Sequence, residues 1–260
     1  MQEIIITTVV IGVIGLIIGI ALVAAGKKFY VAVDEKAIAV RECLPGNNCG
    51  ACGYAGCDAV AAAIAAGDAP VNACPVCSAD AVAKIGGVMG VEAEAAQRKT
   101  AQVKCSGDCE HTSAKCNYVG IEDCRAAALA GLNTGSCTFG CLGYGSCVKV
   151  CTYDAIHVVN GVAKVDTSKC VGCGMCAKAC PKGLIEVVRA DRTFVVQCSN
   201  KDRGPAVKKV CSAGCLGCGA CVKQCEHDAI HVEGNLAYID YDKCVGCGKC
   251  AEKCPAKNIV

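Results

Sequence analysis

The stretch KCVGCGKCAEKCP, residues 243–255, determines how this chain folds, and KCVGCGMCAKACP, residues 169–181, repeats it. In both, three cysteines follow one another at steps of three residues, and a fourth comes four residues later, before a proline. This is the C-x2-C-x2-C-x3-C-P run of bacterial two-cluster ferredoxins, whose fourth cysteine binds the neighbouring [4Fe–4S] cluster. Structural zinc sites usually pair two C-x2-C units across a longer loop, so the evenly stepped run favours iron–sulfur clusters.

Each run belongs to a longer unit that occurs twice. The shift that brings Cys137 onto Cys211 superimposes the two copies without a gap and aligns eight cysteines of the first with residues of the second. Alternating apolar residues flank a turn at 160–161 in the first copy and at 234–235 in the second, which predicts a β-hairpin in each. We therefore predict two tandem ferredoxin-like modules, at 137–188 and 211–260, joined by a basic connector at 189–210.

The spacing predicts three complete cluster sites in these modules. In the second module, one cluster takes Cys215, Cys218, Cys221 and Cys254, and the other takes Cys225, Cys244, Cys247 and Cys250. In the first module, one cluster takes Cys151, Cys170, Cys173 and Cys176. Each site combines three ligands from one run with a single ligand from the other, as in two-cluster ferredoxins.

The fourth site of the modules lacks one expected ligand. Tyr144 stands where the repeat places a cysteine, opposite Cys218. The remaining ligands are Cys141, Cys147 and Cys180. Either Cys137, four residues before Cys141, supplies the missing thiolate, or one iron has no thiolate ligand. An iron corner without a protein ligand is labile, which favours Cys137.

A different cysteine motif precedes the modules. CGACGYAGC, residues 49–57, supplies Cys49, Cys52 and Cys57, and Cys74 follows at a distance. Such a set can enclose a [4Fe–4S] cluster, because the interspersed glycines let the backbone bend closely around it. Zinc is the alternative for this motif taken alone. We predict a small four-cysteine iron–sulfur domain at 29–90.

The segment 91–136 also contains cysteines, but without regular spacing. We interpret 91–104 as a linker or exposed helix and the whole segment as a connector. The ligands predicted for a sixth cluster are Cys105, Cys109, Cys124 and either Cys116 or a cysteine from elsewhere in the chain. The alternative is that these thiols are free. Six [4Fe–4S] clusters use 24 of the 28 cysteines, and the cysteines left without a role are Cys43, Cys77, Cys198 and Cys211.

The composition agrees with a chain that metal holds together. Cysteine makes up 28 of 260 residues, whereas tryptophan is absent and there are only 3 phenylalanines. Few large apolar side chains build a small core, and metal ligation then supplies folding energy. The sequence contains no P-loop and no motif for NAD or a flavin. We expect an electron carrier with no catalytic residues of its own and no nucleic-acid partner.

The first 28 residues predict a membrane anchor. From Ile4 to Ala25 no residue is charged, and a helix of this length, at about 1.5 Å per residue, spans the roughly 30 Å hydrocarbon layer. Lys27 and Lys28 follow, which places the cysteine-rich part in the reducing cytoplasm by the positive-inside rule. A cleaved signal peptide is the alternative, but its basic residues precede the apolar run. The predicted fold class is α+β: one N-terminal transmembrane helix, the four-cysteine domain and two ferredoxin-like modules.

This order of motifs resembles the B subunit of the Rnf complex, the ion-translocating ferredoxin:NAD oxidoreductase of bacterial membranes. The stretches GIEDCRAA (120–127) and CTFGCLGYGSC (137–147) are similar to the longer, clostridial-type versions. The resemblance implies a single-pass subunit of the cytoplasmic membrane that accepts electrons from reduced ferredoxin. It also implies partner subunits that carry flavins, bind NAD and move Na⁺ or H⁺.

Two alternatives stand beside this interpretation. One is a membrane-anchored polyferredoxin that serves another reductase or a corrinoid system and belongs to no ion pump. The other is a non-redox protein whose cysteines hold structural zinc. The connector adds a further hypothesis, since its basic residues predict a docking surface for an acidic ferredoxin, against a plain solvated linker. These residues are Lys201, Arg203, Lys208 and Lys209.

Overall fold

The computed structural model describes residues 2–28, 34–92, 97–131 and 135–260, and in the first helix it describes the side chains of Ile6 and residues 12–26. That helix, α1, spans Gln2–Lys28. Within the described residues, no helix combines the length and the apolar composition that a membrane crossing requires. The side chains of Lys27 and Lys28, on which the predicted orientation depends, lie outside the described ones.

Three helices form the N-terminal domain: α2 (Glu35–Cys43), α3 (Cys57–Ala66) and α4 (Ala79–Met89). The sequence predicted the last two, and their boundaries are confirmed. Gly67 ends α3 in the left-handed conformation, where a side chain is disfavoured, and the Ser78 hydroxyl caps α4 by accepting from the Ala81 amide at 3.3 Å. The core of the domain is aliphatic and comprises Val40, Val60, Ile64 and Ile85.

The segment before the first module forms a strand, and the prediction of a linker or exposed helix at 91–104 is therefore wrong. Strand β1 (Lys99–Val103) pairs antiparallel with β4 (Ile185–Arg189), in the register Val103↔Ile185. Ala101 and Val103 are buried against the first module. The partner strand lies far along the chain, at the end of that module, so local pattern could not reveal the pairing.

The two modules have the same elements in the same order. The first contains α6 (Ser146–Lys149), β2 (Ile156–Val159), β3 (Val162–Val165) and α7 (Met175–Ala179) before β4. The second contains α9 (Ala220–Lys223), β5 (Ile230–Glu233), β6 (Leu236–Ile239) and α10 (Lys249–Glu252). Both predicted hairpins are confirmed, β2 with β3 and β5 with β6. Asn160 and Gly161 turn the first with φ of 51° and 81°, as a two-residue hairpin loop requires.

Two short helices lie outside the repeated elements. Helix α5 (Cys124–Leu129) lies in the segment between β1 and the first module, and α8 (Gly204–Val210) lies in the connector between the modules. Pro205 stands in the first turn of α8, where its missing N–H costs no hydrogen bond, and Val207 is fully buried. The connector is therefore not a plain linker, because α8 packs onto the fold.

Candidate metal centres

The four ligands predicted for one cluster of the first module lie together at the start of α7. Burial raises the pKa of Cys176 to about 11, and the neighbouring thiols of Cys173, Cys170 and Cys151 raise it further. Backbone amides point at two of the sulfurs, since Ala101 N donates to Cys170 Sγ at 3.2 Å and Ala155 N donates to Cys151 Sγ at 3.4 Å. Buried thiols favour the protonated form, so a cation such as iron is needed to stabilise four thiolates here.

The incomplete site of the first module receives its fourth cysteine from α5. Burial raises the pKa of Cys147 to about 12, and Cys141, Cys124 and Cys180 raise it further as neighbours. These four cysteines line one cavity of about 20 Å³. Cys124 therefore occupies the place that the sequence assigned to Cys137. The ring of Tyr144, the residue that breaks the repeat, packs against Tyr118 with centroids 5.2 Å apart.

Hydrogen bonds fix Cys124 beside Cys147. The Ser146 hydroxyl accepts from the Cys124 amide at 2.7 Å and donates to Asp123 Oδ2 at 2.7 Å. Asp123 is also the N-cap of α5 and accepts from the Arg125 amide at 2.8 Å. The side chain of Ser146 is buried, and the residue precedes Cys147 at the start of α6. The start of α5 and the start of α6 are thus held together at the ligand positions.

The second module brings together both of its predicted sets. Burial raises the pKa of Cys221 to about 11, and Cys215 and Cys254 raise it further. Cys218, the fourth residue of this set, is exposed in the same loop. The other set lines a cavity of about 20 Å³ and comprises Cys225, Cys244, Cys247 and Cys250. Ala229 N donates to Cys225 Sγ at 3.3 Å, which repeats the bond between Ala155 and Cys151.

In the N-terminal domain, Cys57 and Cys74 are buried in the core and Cys52 packs against it. Asn48 Oδ1 accepts from the Cys57 amide at 2.7 Å and lies 3.1 Å from where a Cβ on Gly56 would stand, so glycine is required there. Cys77, which had no predicted role, hydrogen-bonds Cys74 and thereby lowers the pKa of Cys74 to about 6.

The N-terminal domain contacts the first module at its cluster site. The Asn47 side-chain amide donates to the Tyr153 hydroxyl. Cys49 raises the pKa of Cys173 after the larger effect of burial, which makes the two thiols neighbours. The Cys49 motif therefore lies directly beside the site that contains Cys173.

The group predicted for a sixth cluster does not hold in the structure, because its cysteines lie in different places. Cys124 joins the first module, as described above. Cys109 and Cys116 are exposed, and the Cys109 amide donates to Asn160 O in the turn of the first hairpin. Cys105 and Cys137 instead line a separate cavity, together with two cysteines for which the sequence predicted no role, Cys198 and Cys211.

The arrangement of donors differs from that of a single-ion site. In the described part of the chain, no three His, Cys, Asp or Glu side chains approach closely enough to hold one metal ion. Thiolates that share a zinc ion each lie about 2.3 Å from it and crowd together. The thiolates of a cubane each bind a different iron and stand further apart. All-thiol donor sets with amides directed at the sulfurs fit [4Fe–4S] clusters.

Comparison with protein-family models identifies three iron–sulfur segments. Residues 44–76 match a family described as "Putative Fe-S cluster". Residues 163–186 match the "4Fe-4S binding domain", and residues 214–258 match the "4Fe-4S dicluster domain". These matches support the predicted iron–sulfur domain and the two ferredoxin-like modules.

Three curated relatives, each named as the B subunit of a membrane redox complex, are similar over most of the chain. That of the Na⁺-translocating ferredoxin:NAD⁺ oxidoreductase complex of Acetobacterium woodii is 46% identical over 90% of this chain and 71% of its own length. That of the proton-translocating ferredoxin:NAD⁺ oxidoreductase complex of Clostridium ljungdahlii is 40% identical over 92% of this chain and 85% of its own length. That of the ion-translocating oxidoreductase complex of Methanosarcina acetivorans is 38% identical over 95% of this chain and 94% of its own length.

Proposed function

The chain belongs to the family of B subunits of ion-translocating ferredoxin:NAD⁺ oxidoreductase complexes, and we propose that it accepts electrons from reduced ferredoxin and relays them to the other subunits. It is an iron–sulfur electron-transfer subunit of such an oxidoreductase, as its family and its 4Fe-4S domains establish. A bound [4Fe–4S] cluster takes up and releases one electron at a time. The residues of this chain hold the clusters, shield them from water and set their order.

The observation that carries this proposal is the contact between consecutive ligand sets. Within each module, the two cysteine runs exchange their fourth ligands, so the two sets are neighbours. The first module then meets the N-terminal domain, where Cys49 lies beside Cys173 and Asn47 bonds Tyr153. The donor sets therefore form a series from the second module to the Cys49 motif. We propose that five [4Fe–4S] clusters occupy these sets.

Exposure of the ligands favours the second module as the contact with ferredoxin. Its cysteines Cys218 and Cys247 are exposed, whereas every ligand proposed for the first module is buried or half-buried. Electron exchange with a soluble partner requires a cluster near the surface. The four basic residues of the connector, which lie on and before α8, belong to the segment that leads into this module and are exposed. They match the acidic surface expected of a bacterial ferredoxin.

We propose further that α1 anchors the chain to the cytoplasmic membrane, with the cysteine-rich part on the cytoplasmic side. The support is the length of α1, 27 residues, and the uncharged run from Ile4 to Ala25 within it. The relatives are named as subunits of ion-translocating complexes, and ions are translocated across a membrane. A fixed position near membrane-embedded partners is what a relay subunit needs.

Co-purification tests the proposed function. The full chain, tagged at its C-terminus, is isolated anaerobically from membranes of its own host with a mild detergent. We expect partner subunits that contain flavin, and a complex that reduces NAD⁺ with reduced ferredoxin. Recovery of the chain with a corrinoid protein or with a reductase that lacks flavin-bearing membrane subunits would contradict the proposal and favour a separate electron-donor role.

A further inference from the structure

We propose that Cys105, Cys137, Cys198 and Cys211 hold a sixth [4Fe–4S] cluster between the two ferredoxin-like modules. The four cysteines line one cavity of about 30 Å³, whereas the cavities at two of the module sites are about 20 Å³ each. The inference rests on the proposed function, since it assigns the same cofactor to this chain. It concerns a ligand set that neither the motifs nor the matched family segments contain.

Direct contacts place the four sulfurs around the same space. A Cβ on Gly107 would lie 3.3 Å from Cys211 Sγ and 3.7 Å from Cys105 Sγ, so these two sulfurs lie close to each other. The buried Asn200 contacts the other two: its backbone amide donates to Cys198 Sγ and its side-chain amide donates to Cys137 Sγ, both at 3.5 Å. The segments that lead into each module thus contribute two cysteines each to one enclosed site.

The site has the internal symmetry of the duplicated fold. Cys137 and Cys211 are equivalent positions of the two aligned copies. Cys105 and Cys198 are equivalent in structure, because the residue before each makes the same bond to its module: Lys104 N donates to Leu184 O at 2.7 Å, and Gln197 N donates to Asn258 O at 2.8 Å.

Two reciprocal bonds join these equivalent segments to each other. Ser106 Oγ donates to Gln197 Oε1 at 2.7 Å, and Ser199 Oγ donates to Lys104 O at 3.0 Å. A duplication that leaves two cysteines per module at a shared boundary produces the four thiols that one cubane requires.

The surroundings of the sulfurs match those of the module sites. Cys105 Sγ accepts from the backbone of Cys141 and Gly107, and Cys198 Sγ accepts from Cys215 N at 3.3 Å and from Asn200. Burial raises the pKa of Cys105 to about 11 and also raises the pKa of Cys211, so the thiolates need a cation here as well. Amides directed at buried sulfurs are typical of cluster ligands.

The position of this site gives it a role in the series of donor sets. Cys141 belongs to the first module and bonds Cys105 through its backbone, whereas Cys215 belongs to the second module and bonds Cys198. The boundary site is therefore adjacent to one ligand set of each module. It connects the two modules, and it restores the predicted total of six clusters with different ligands. The cysteines outside the six sets are Cys43, Cys77, Cys109 and Cys116.

Iron, acid-labile sulfide and zinc per chain, measured on the anaerobically purified full chain, test this inference, together with the number of electron-paramagnetic spins after full reduction. We expect about 24 iron atoms and six spins for the parent, at four irons per cluster. The double variant Cys198→Ser/Cys211→Ser is expected to fall to about 20 iron atoms and five spins. The matched control Cys109→Ser/Cys116→Ser, which removes two exposed cysteines, is expected to keep the parental values.

Several results would overturn the sixth site. A parent with about 20 iron atoms does so and leaves the proposed function intact, as does a parent with about 20 iron atoms and one zinc. A double variant that retains the parental iron content also refutes it. If the double variant loses iron throughout because it fails to fold, the spin count of the parent decides between six clusters and five. An iron-free parent would refute the proposed function together with the inference.

Discussion

The hydroxyl of Ser146 donates to the Asp123 carboxylate at 2.7 Å and ties helix α5 to the first ferredoxin-like module. The same hydroxyl accepts from the amide of Cys124, which places that thiol among the cluster ligands. In the second module, Ala220 stands at the position that corresponds to Ser146. There the ligand comes from Cys218 in the loop itself. One hydroxyl and one inserted helix therefore compensate for the cysteine that the first module lacks.

Replacement of Cys124 is expected to remove one cluster. In the variant Cys124→Ser, the set of Cys141, Cys147 and Cys180 loses its fourth thiolate, and the iron content is expected to fall by up to about four atoms per chain. The change Tyr144→Cys in the same chain copies the loop of the second module and is expected to restore the lost iron. Iron analysis and spin counting on anaerobic protein measure both effects.

The control for this rescue is Tyr144→Cys in the parent, which should bind no additional iron because the site already has four ligands. Unchanged iron content in Cys124→Ser would show that Cys124 is not a ligand. A rescue variant that remains at the reduced iron content, with the fold intact, would place the missing corner somewhere other than the loop at Tyr144.

The variant Ser146→Ala is expected to weaken the same cluster without removing a ligand. It leaves the buried amide of Cys124 without an acceptor, which costs about 1–3 kcal/mol. We expect iron loss to a chelator to be at least about fivefold faster at this site. The Ser146 hydroxyl lowers the pKa of Asp123, so the carboxylate is fully charged at neutral pH and its contribution is lost only as acid titrates it. The effect of the substitution should therefore be constant across the neutral range.

Ser136→Ala is the matched control, because the Ser136 hydroxyl bonds Ser113 at 2.8 Å on the exposed surface. It should leave the rate of iron loss near that of the parent. Equal rates for Ser146→Ala and Ser136→Ala would mean that the buried hydroxyl does not position Cys124.

Reversal of the connector charges is expected to slow the entry of electrons from ferredoxin. Opposite charges speed encounter, and salt screens them over about 10 Å at 0.1 M. The variant with Lys201, Arg203, Lys208 and Lys209 all changed to Glu should therefore be reduced about tenfold more slowly at low salt and at nearly the parental rate at high salt. Stopped-flow mixing with reduced ferredoxin measures the rate.

A comparable change elsewhere provides the control for that experiment. Lys36 and Lys84 are exposed in the N-terminal domain, and their change to Glu should leave the rate of reduction unaltered. A salt dependence that is the same in the connector variant and in the parent would remove the connector from the docking surface.

The repeated motifs allowed much of the molecule to be predicted from sequence. The hairpins of both modules, the helices that begin at Cys57 and after Ser78, and the iron–sulfur families all follow from spacing, capping residues and turn residues within short windows. Such features are local, because the residues that cause them are adjacent in the chain.

The errors concern contacts between distant segments. Cys124 precedes the first module and reaches its site only through Ser146, and β1 is recognisable as a strand only beside β4. The match between Cys105 and Cys198 was hidden, because Cys105 lies much further from Cys137 along the chain than Cys198 does from Cys211. The shared pattern V-x-C-S at 103–106 and 196–199 is the signal that could have shown it.

The most direct test of the account is anaerobic rapid mixing of the purified full chain with reduced bacterial ferredoxin, followed by visible absorption and by the number of electrons taken up per chain. The account predicts that ferredoxin is reoxidised while the absorption of the chain bleaches, and that reduction reaches about one electron per cluster. A chain that dithionite bleaches but reduced ferredoxin leaves oxidised would contradict the claim that this subunit accepts electrons from ferredoxin.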